Sequence, residues 1–252
     1  FQGKVVMITG GSGTIGFAIA EAFSKLGAQT ILVDKDEIAL KESVTKLGVG
    51  HKYFPIDVTH SDAANQALLA AINNFGGLDI LISNAGAAHA GPMLGISNEE
   101  LRNAFELNFF SHYSFSTEAA KILKDQNRGG QILFNISKQA VNPGKNFGAY
   151  GLPKATTFFL MRQLALELGS DGIRVNGINA DRIRSGLLTD DFISSRAKSR
   201  GVSESEYMAG NLLNKEVTAE HVADAFTALA CAESTTGHVM TVDGGNIEAS
   251  LR

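Results

Sequence analysis

Two residues whose types and spacing could move a proton, Tyr150 and Lys154, stand four positions apart in a stretch with helical periodicity. At that spacing both side chains lie on one face of a helix. A phenol, with a pKa of about 10, is a poor base at neutral pH unless a nearby cation stabilises the phenolate. The ammonium of Lys154 is such a cation. Ser137 ends the preceding predicted strand, where its hydroxyl can donate to a substrate oxygen, so the pattern indicates proton exchange with an alcohol or carbonyl.

A glycine-rich turn separates the first predicted strand, residues 5–8, from a predicted helix. Gly11, Gly13 and Gly16 fit the G-x-G-x-x-G spacing of dinucleotide-binding turns. A side chain in such a turn would keep a pyrophosphate from the N–H groups of the helix N-terminus, where the helix dipole favours negative charge. The residues expected to bind the nucleotide are Gly10, Gly11, Ser12, Gly13, Thr14, Ile15 and Gly16.

The cofactor preference is predicted from Asp34, which closes the second predicted strand 18 residues after Gly16. Near this distance an acidic residue reaches the adenosine ribose hydroxyls. Its carboxylate would repel a 2′-phosphate, so we expect NAD rather than NADP. The neighbouring Lys35 is the feature that leaves NADP open.

Short apolar strands alternate with helical patterns along the whole chain, which predicts right-handed crossovers and a parallel sheet. The strands are expected at residues 5–8, 30–33, 51–56, 78–82, 131–136, 172–178 and 237–242. The predicted fold is α/β: a single Rossmann-type domain over residues 1–252, with a doubly wound parallel sheet of seven strands and helices on both faces.

Three predicted helical segments surround the chemistry. A capping box of Ser97 and Glu100 begins a long helix that runs to Leu123. A second helix is expected to begin at about Tyr150, because Pro153 is tolerated in a first turn, where its missing N–H would be unpaired anyway. Residues 182–214 predict two short polar helices, interpreted as an insertion that forms a substrate lid.

Composition excludes several classes of partner. The 252 residues carry a net charge of −4, which gives no basic surface for nucleic acid. No apolar run approaches the roughly 18 residues of a membrane span. One cysteine, Cys231, fits a reducing compartment, and His89 has no second ligand at metal-binding spacing. We therefore expect a cytoplasmic protein with a small-molecule substrate and no nucleic acid, membrane or metal partner.

These residues together resemble the short-chain dehydrogenase/reductase family over essentially the whole chain. The interval of 13 residues from Ser137 to Tyr150 fits the usual separation in that family. The other matching motifs are Thr9-Gly10 with the glycine turn, Asp57-Val58, Asn84-Ala85-Gly86, Asn108, Arg174-Val175-Asn176 and Val242-Asp243-Gly244-Gly245.

The resemblance implies a role for each matching residue. Tyr150 would exchange a proton with the substrate oxygen, Ser137 would hold that oxygen, and Lys154 would lower the pKa of the tyrosine and bond the nicotinamide ribose. Asn108 would anchor a water that passes protons from Lys154 towards solvent. The further cofactor contacts implied are Asp57 and Val58 at the adenine, Asn84, Ala85 and Gly86 along the cleft, and Ile183 and Ser185 at the nicotinamide amide and phosphate side. Homodimers or homotetramers are usual in the family.

Two departures from the family pattern stand out. Thr14 replaces the glycine usually found two residues before Gly16, so we expect a shifted turn with retained binding. Ala180-Asp181 replaces the usual Pro-Gly after the sixth strand, and Arg182 and Arg184 follow. These residues would add a carboxylate and two guanidinium groups at the substrate end of the cleft.

The run of residues 179–187, with residues 241–246, resembles the dehydrogenase half of bifunctional proteins that fuse a class II sugar-phosphate aldolase to this domain. With the absent start methionine, this resemblance indicates an excised C-terminal domain whose full-length protein carries an N-terminal aldolase domain. The substrate would then be a small hydroxyaldehyde, polyol, sugar or sugar acid.

Three functions remain open at this point. The first is an NAD-dependent oxidoreductase that transfers a hydride to or from a small polar alcohol or carbonyl compound with a Ser-Tyr-Lys mechanism. The second is a non-catalytic nucleotide-binding regulator, and the third is an epimerase or dehydratase on the same fold. The complete set of Ser137, Tyr150 and Lys154 favours the first.

Overall fold

The computed structural model describes residues 1–88 and 90–246, so His89 and residues 247–252 lie outside the described part of the chain. The described strands form one parallel sheet in the order β3-β2-β1-β4-β5-β6-β7. They are β1 (Val5–Thr9), β2 (Gln29–Asp34), β3 (Lys52–Pro55), β4 (Ile80–Ser83), β5 (Gly130–Asn135), β6 (Ile173–Ala180) and β7 (Val239–Val242). The predicted seven-stranded doubly wound sheet is confirmed.

Helices cover both faces of this sheet. They are α1 (Thr14–Lys25), α2 (Glu37–Leu47), α3 (Ala63–Phe75), α4 (Asn98–Phe105), α5 (Ser111–Gln126), α6 (Gly148–Leu168), α7 (Asp190–Arg200), α8 (Glu204–Met208) and α9 (Ala219–Cys231). Side chains alternate across each strand, so Met7 of β1 joins the core under α3, α5 and α6, whereas Ile8 joins the core under α1, α2 and α9. Both faces of the central strands β1 and β4 are therefore buried, as their continuous apolar runs predict.

The order of the strands reverses beside β1. The chain moves outward from β1 to β3 and then returns to place β4 on the other side of β1. In open parallel sheets the crevice at such a reversal lies outside the carboxyl ends of the strands and binds ligands. The glycine turn after β1 and Asn84 after β4 both lie at this reversal.

Two predicted helices differ from the structure. The helix α6 begins at Gly148, two residues before Tyr150, because the amides of Tyr150 and Gly151 already donate to the carbonyl of Phe147. Pro153 is therefore the sixth helical residue and lies in the second turn, not in the first.

The long helix predicted from residue 97 is interrupted. A π-helical turn, Glu106–Phe110, joins α4 to α5. Such wide turns inside helices often mark functional sites, and this one contains Asn108. No helix in the described residues combines the length and the apolar character needed to cross a membrane.

Candidate active site

A cavity of about 850 Å³ lies at the carboxyl ends of the strands. Most residues predicted from the sequence to form the site line it. They are Gly10, Gly13, Thr14, Ile15, Gly16, Asp34, Asp57, Val58, Asn84, Ala85, Gly86, Ser137, Tyr150, Lys154, Ile183 and Ser185. The lining does not include Gly11, Ser12 or Asn108, whose contacts are described below.

The glycine turn packs tightly against its neighbours and opens towards the cavity at one residue. A Cβ on Gly16 would collide with the carbonyl oxygen of Gly10, and a Cβ on Gly11 would lie 2.8 Å from the Cβ of Leu32. A Cβ on Gly13 would meet only the Gly10 oxygen, at 3.4 Å. Gly11 is therefore a packing residue against β2, whereas Gly13 keeps the turn open to the cavity.

The N-terminus of α1 has no side-chain cap. Gly13 occupies the N-cap position, and no side chain accepts a hydrogen bond from the first turn of the helix. The unbonded amides and the helix dipole together form a site for an anion. This turn fits the pyrophosphate of a dinucleotide, even though Thr14 stands where the family usually has a glycine.

Two carboxylates lie at the nucleotide end of the cavity. Asp34 accepts hydrogen bonds from the amides of Ser12, at 3.3 Å, and Lys35, at 2.8 Å. Ser12 therefore acts through its backbone on Asp34. Asp57 accepts from the amide and the hydroxyl of Thr59, which lowers the pKa of its carboxyl. Both carboxyl groups are positioned at the ends of their strands by backbone amides.

The floor of the cavity is held together across three strand ends. The amide of Asn84 donates to the Thr9 hydroxyl at 2.9 Å, and its side-chain Nδ2 donates to the Thr9 carbonyl at 2.9 Å. The Nδ2 of Asn135 donates to Asn84 Oδ1 at 2.8 Å. These bonds link β1, β4 and β5 at the crevice, so the positions of the groups that follow them are fixed.

Ser137 lies beside Tyr150 in the cavity lining, and its hydroxyl acts to lower the pKa of the phenol. Burial acts more strongly in the opposite direction, because Tyr150 is only 7% exposed, and the net effect raises its pKa to about 12. The predicted convergence of the two hydroxyls on one side of the cavity is present.

Lys154 lies beneath the same tyrosine. Its Nζ is 5.9 Å from the centroid of the Tyr150 ring and donates to the carbonyl of Asn135 at 2.9 Å. The side chain is 2% exposed, and burial lowers the pKa of its ammonium to about 7. The four-residue spacing thus places both groups on one face of α6, as the sequence predicts.

Asn108 is buried behind the cavity. Its Nδ2 donates to the carbonyls of Ala87 and Ala104, and its Oδ1 accepts from the amide of Ala87. Its backbone carbonyl accepts from the Thr157 hydroxyl at 2.7 Å. The role of Asn108 in holding a water stays a prediction.

Sequence reasoning missed His112. This buried side chain lies four residues after Asn108; its Nδ1 is 2.6 Å from Ser83 Oγ, and its Nε2 is 3.4 Å from Lys154 Nζ. Burial is the largest cause that lowers the pKa of the imidazole well below its usual value, and the charge of Lys154 adds to the effect. His112 is therefore neutral beside the ammonium. Its helical spacing from Asn108 is the signal that could have found it.

Of the two arginines that follow Asp181 after the sixth strand, one places its guanidinium at the cavity. Asp181 pairs with Lys138 at 2.6 Å, accepts from the Nδ2 of Asn246 at 2.6 Å, and lies 3.5 Å from the Nε of Arg182. Arg182 lines the cavity. Arg184 instead pairs with Asp190 and Glu216 on the surface, so the expectation of two guanidinium groups there is wrong.

Residues of the proposed lid also border the cavity. Phe192, Arg196, Arg200 and Tyr207, from α7 and α8, line it. No group of three or more His, Cys, Asp or Glu residues suited to a metal ion occurs within residues 1–88 and 90–246. His89, the histidine next to the cleft in the sequence, lies outside the described residues.

Comparison with known proteins identifies the family. The sequence profile described as enoyl-(acyl carrier protein) reductase matches residues 11–246, which include the glycine turn and the Ser137, Tyr150 and Lys154 set. The chain belongs to the short-chain dehydrogenase/reductase family. The chain is therefore an oxidoreductase whose fold binds a nicotinamide cofactor, and this confirms the resemblance stated from its motifs.

Two relatives illustrate the range of this family. The uncharacterized oxidoreductase YuxG of Bacillus subtilis is 33% identical over 97% of this chain, which spans only 37% of the length of YuxG. Secoisolariciresinol dehydrogenase of Forsythia intermedia is 31% identical, with 97% of this chain and 89% of the relative covered.

Solved structures of other members have the same architecture. The 3-ketoacyl-(acyl-carrier-protein) reductase of Brucella melitensis, complexed with NADH, is 25% identical with a TM-score of 0.89, covering 97% of this chain and 98% of its own. L-Sorbose reductase of Gluconobacter frateurii, complexed with NADPH and L-sorbose, is 29% identical with a TM-score of 0.88 and 97% coverage of both chains.

Proposed function

We propose that this short-chain dehydrogenase/reductase transfers a hydride between NAD and a small polar alcohol or carbonyl compound, such as a hydroxyaldehyde, polyol, sugar or sugar acid. The observation that carries the proposal is that Ser137, Tyr150 and Lys154 line one cavity, with the Lys154 Nζ 5.9 Å from the centroid of the Tyr150 ring. When bound, the nicotinamide accepts or supplies the hydride.

In the oxidation direction, the substrate hydroxyl loses its proton to the Tyr150 oxygen while Ser137 holds the same substrate oxygen by a hydrogen bond. Tyr150 and Lys154 form a coupled pair. A pair that has lost one proton exists in two forms, an amine beside a phenol or an ammonium beside a phenolate. The phenolate of the second form is the base that the reaction needs. The low pKa of Lys154, about 7, makes loss of that first proton accessible at neutral pH.

The order of proton movements reverses for reduction. The Tyr150 hydroxyl gives its proton to the carbonyl oxygen, and Lys154 supports the resulting phenolate. We propose that a water held beside Asn108 then returns the proton from solvent through Lys154. The Nε2 of the neutral His112 lies 3.4 Å from Lys154 Nζ in the same chain of contacts.

The proposal of NAD over NADP rests on Asp34. Its carboxylate lines the nucleotide end of the cavity and is oriented by two backbone amides. A 2′-phosphate brought to this group would meet a like charge, which costs several kcal/mol across an interface. Family members with solved structures hold either NADH or NADPH, so the fold itself does not decide the preference.

The polar substrate class is supported by the other end of the cavity. Lys138, which follows Ser137 in the sequence, lines it together with Asp181 and Arg182. Such groups can add hydrogen bonds to a hydroxylated substrate, whereas a purely apolar substrate would remove water from them without replacing its hydrogen bonds. L-Sorbose in a relative of the same fold is a substrate of this class.

We further propose a homodimer or homotetramer. Phe110 is 45% exposed and Tyr113 is 47% exposed at the start of α5, and Phe159 of α6 is 66% exposed. An apolar face of this kind is typical of a surface that another subunit covers. The cytoplasmic location and the N-terminal aldolase domain of the full-length protein stay predictions.

The proposed reaction is tested by mixing the protein with NAD and a panel of sugar acids, polyols and 1,2-diols, and following NADH absorbance. At least one member of the panel should produce NADH in proportion to the product formed. Conversion of a substrate to an isomer or a dehydrated product without net NADH would favour the epimerase or dehydratase function instead.

A further inference from the structure

The substrate end of the cavity, which is lined by residues from the β5–α6 loop and from the segment after β6, is rich in cations. Lys138, Lys145, Arg182, Arg196 and Arg200 line it, and Asp181 is the one carboxylate from this part of the lining in the described residues. The other lining carboxylates, Asp34 and Asp57, lie at the ends of β2 and β3. The substrate end is thus positive in a chain whose net charge is −4.

The single carboxylate at this end is already engaged. Asp181 is buried and pairs with Lys138 at 2.6 Å, and the Nδ2 of Asn246 and the Nε of Arg182 lie at 2.6 Å and 3.5 Å from it. Arg182 also donates through Nη1 to the carbonyl of Tyr207 at 2.6 Å. These contacts account for Lys138 and Arg182, and both carboxylate oxygens of Asp181 already have partners.

Two aromatic rings hold Arg196 in place, and no salt bridge joins it to an acidic residue within residues 1–88 and 90–246. Its guanidinium carbon lies 5.4 Å from the centroid of the Phe147 ring and 5.5 Å from that of Phe192. Its Nε is buried and has no hydrogen-bond acceptor in the part of the chain that the structure describes. A cation oriented by two aromatic rings but lacking an anion is a group prepared to receive one.

The position of Arg196 relates it to the proposed chemistry. Phe147 immediately precedes α6 and stands three residues before Tyr150, so the ring that contacts Arg196 is attached to the start of the same helix. Arg200, one helical turn further along α7, also lines the cavity, and its guanidinium lies 5.3 Å from the centroid of Tyr207. The two guanidinium groups face one cavity from one face of α7.

We infer that Arg196, assisted by Arg200, forms an anion-binding subsite for a carboxylate or phosphate group on the substrate, at the end of the molecule opposite the hydroxyl that reacts. This inference rests on the proposed function, because it assigns a substrate class to the same cavity. A guanidinium binds either anion through two parallel N–H bonds, and partial burial strengthens that contact. Sugar acids or sugar phosphates are then preferred over neutral polyols.

The test compares three probes that share one carbon skeleton: glucitol, gluconate and glucitol 6-phosphate. Binding is measured calorimetrically to the protein saturated with NADH, and kcat and KM are measured with NAD for each probe. The variants are Arg196→Met, which keeps a long apolar stem between the rings, and Arg196→Lys, which keeps the charge without the fork. Lys198→Met is the matched control, because it removes a positive charge from the same helix at a residue outside the cavity lining.

We expect the wild-type protein to bind at least one anionic probe more tightly than glucitol. Arg196→Met should raise the Kd and KM of that probe by about 10-fold or more, as loss of a charged hydrogen bond implies. Glucitol values and kcat should change less than about twofold, Arg196→Lys should lie between, and Lys198→Met should match wild type. The carboxylate and phosphate arms show which anion the subsite takes.

The inference would be overturned if the wild-type protein bound all three probes equally. It would also be overturned if Arg196→Met weakened the binding of neutral and anionic probes equally, and Arg196 would then have a packing role. Failure of the proposed function is a separate result. If no probe or panel compound is oxidised, calorimetry on the NADH complex still decides the anion subsite. If neutral polyols are oxidised without any effect at Arg196, the oxidoreductase proposal stands and the subsite does not.

Discussion

The Nζ of Lys154 lies 5.9 Å from the centroid of the Tyr150 ring, and both side chains are buried on one face of α6. Burial raises the pKa of the phenol to about 12 and lowers the pKa of the ammonium to about 7. Each charged form is therefore unfavourable alone, and the phenolate is stabilised only while the ammonium stands beside it. The two residues have to be treated as one acid–base unit.

The first prediction concerns the pH dependence of alcohol oxidation. Because the phenolate is present only after the pair loses a proton, kcat/KM for oxidation should rise with pH through about 7 and then level off. In Lys154→Met the phenolate has no cation, so the rising limb should move to higher pH, towards the raised pKa of Tyr150. The rate at pH 7 should fall by about 100-fold or more.

This profile is measured from initial rates at saturating NAD between mildly acidic and alkaline pH. Lys121→Met, which removes an exposed lysine of α5, is the control and should retain the wild-type profile. A Lys154→Met enzyme with an unshifted limb would show that Lys154 does not control the ionisation of Tyr150.

A second prediction concerns the choice of cofactor. Wild-type protein should bind NADH at least about 10-fold more tightly than NADPH, because the 2′-phosphate would meet the Asp34 carboxylate. Asp34→Asn removes the repulsion and should bring the two dissociation constants close together. Fluorescence titration measures both. Glu37→Gln is the control, since it removes a nearby exposed carboxylate outside the cavity, and tighter binding of NADPH by the wild-type protein would refute the NAD proposal.

A third prediction separates packing from binding within the glycine turn. A Cβ on Gly16 collides with the Gly10 carbonyl, so Gly16→Ala should lower the free energy of unfolding by about 1–3 kcal/mol or more. Gly13 has ordinary backbone angles, φ −72° and ψ 162°, and its Cβ would have room. Gly13→Ala should therefore unfold like wild type while its NADH affinity falls.

Denaturant unfolding followed by NADH titration checks both glycine variants. Wild-type stability in Gly16→Ala would mean that the turn is looser than its contacts indicate. Unchanged NADH affinity in Gly13→Ala would mean that the cofactor does not approach the backbone at this residue.

Much of the architecture could be predicted because it depends on local patterns. Buried parallel strands require continuous apolar runs, and the spacing of Tyr150 and Lys154 follows from the helical repeat. The prediction that Pro153 lies in the first turn of its helix was wrong, because α6 begins at Gly148. The π-helical turn at Asn108 has no marker in the sequence pattern, and the hydrogen bonds of Asn108 there join it to Ala87 and Thr157, which are far along the chain.

The substrate end could not be predicted from residue types alone. Arg182 adopts a positive φ of 54°, so the chain turns sharply there and Arg184 reaches Asp190 and Glu216 instead of the cavity. Arg196 lies in a polar helix with no distinguishing pattern. Its place between Phe147 and Phe192 depends on how α7 packs against the start of α6, which is tertiary information.

The most direct test of the account is the rate of NADH formation by wild-type protein and by Tyr150→Phe with the best substrate of the panel. Phenylalanine removes only the hydroxyl that exchanges the proton, so we predict a loss of about 100- to 10,000-fold in kcat with NADH affinity unchanged in fluorescence titration. Oxidation by Tyr150→Phe at the wild-type rate would contradict the assignment of Tyr150 as the group that moves the proton.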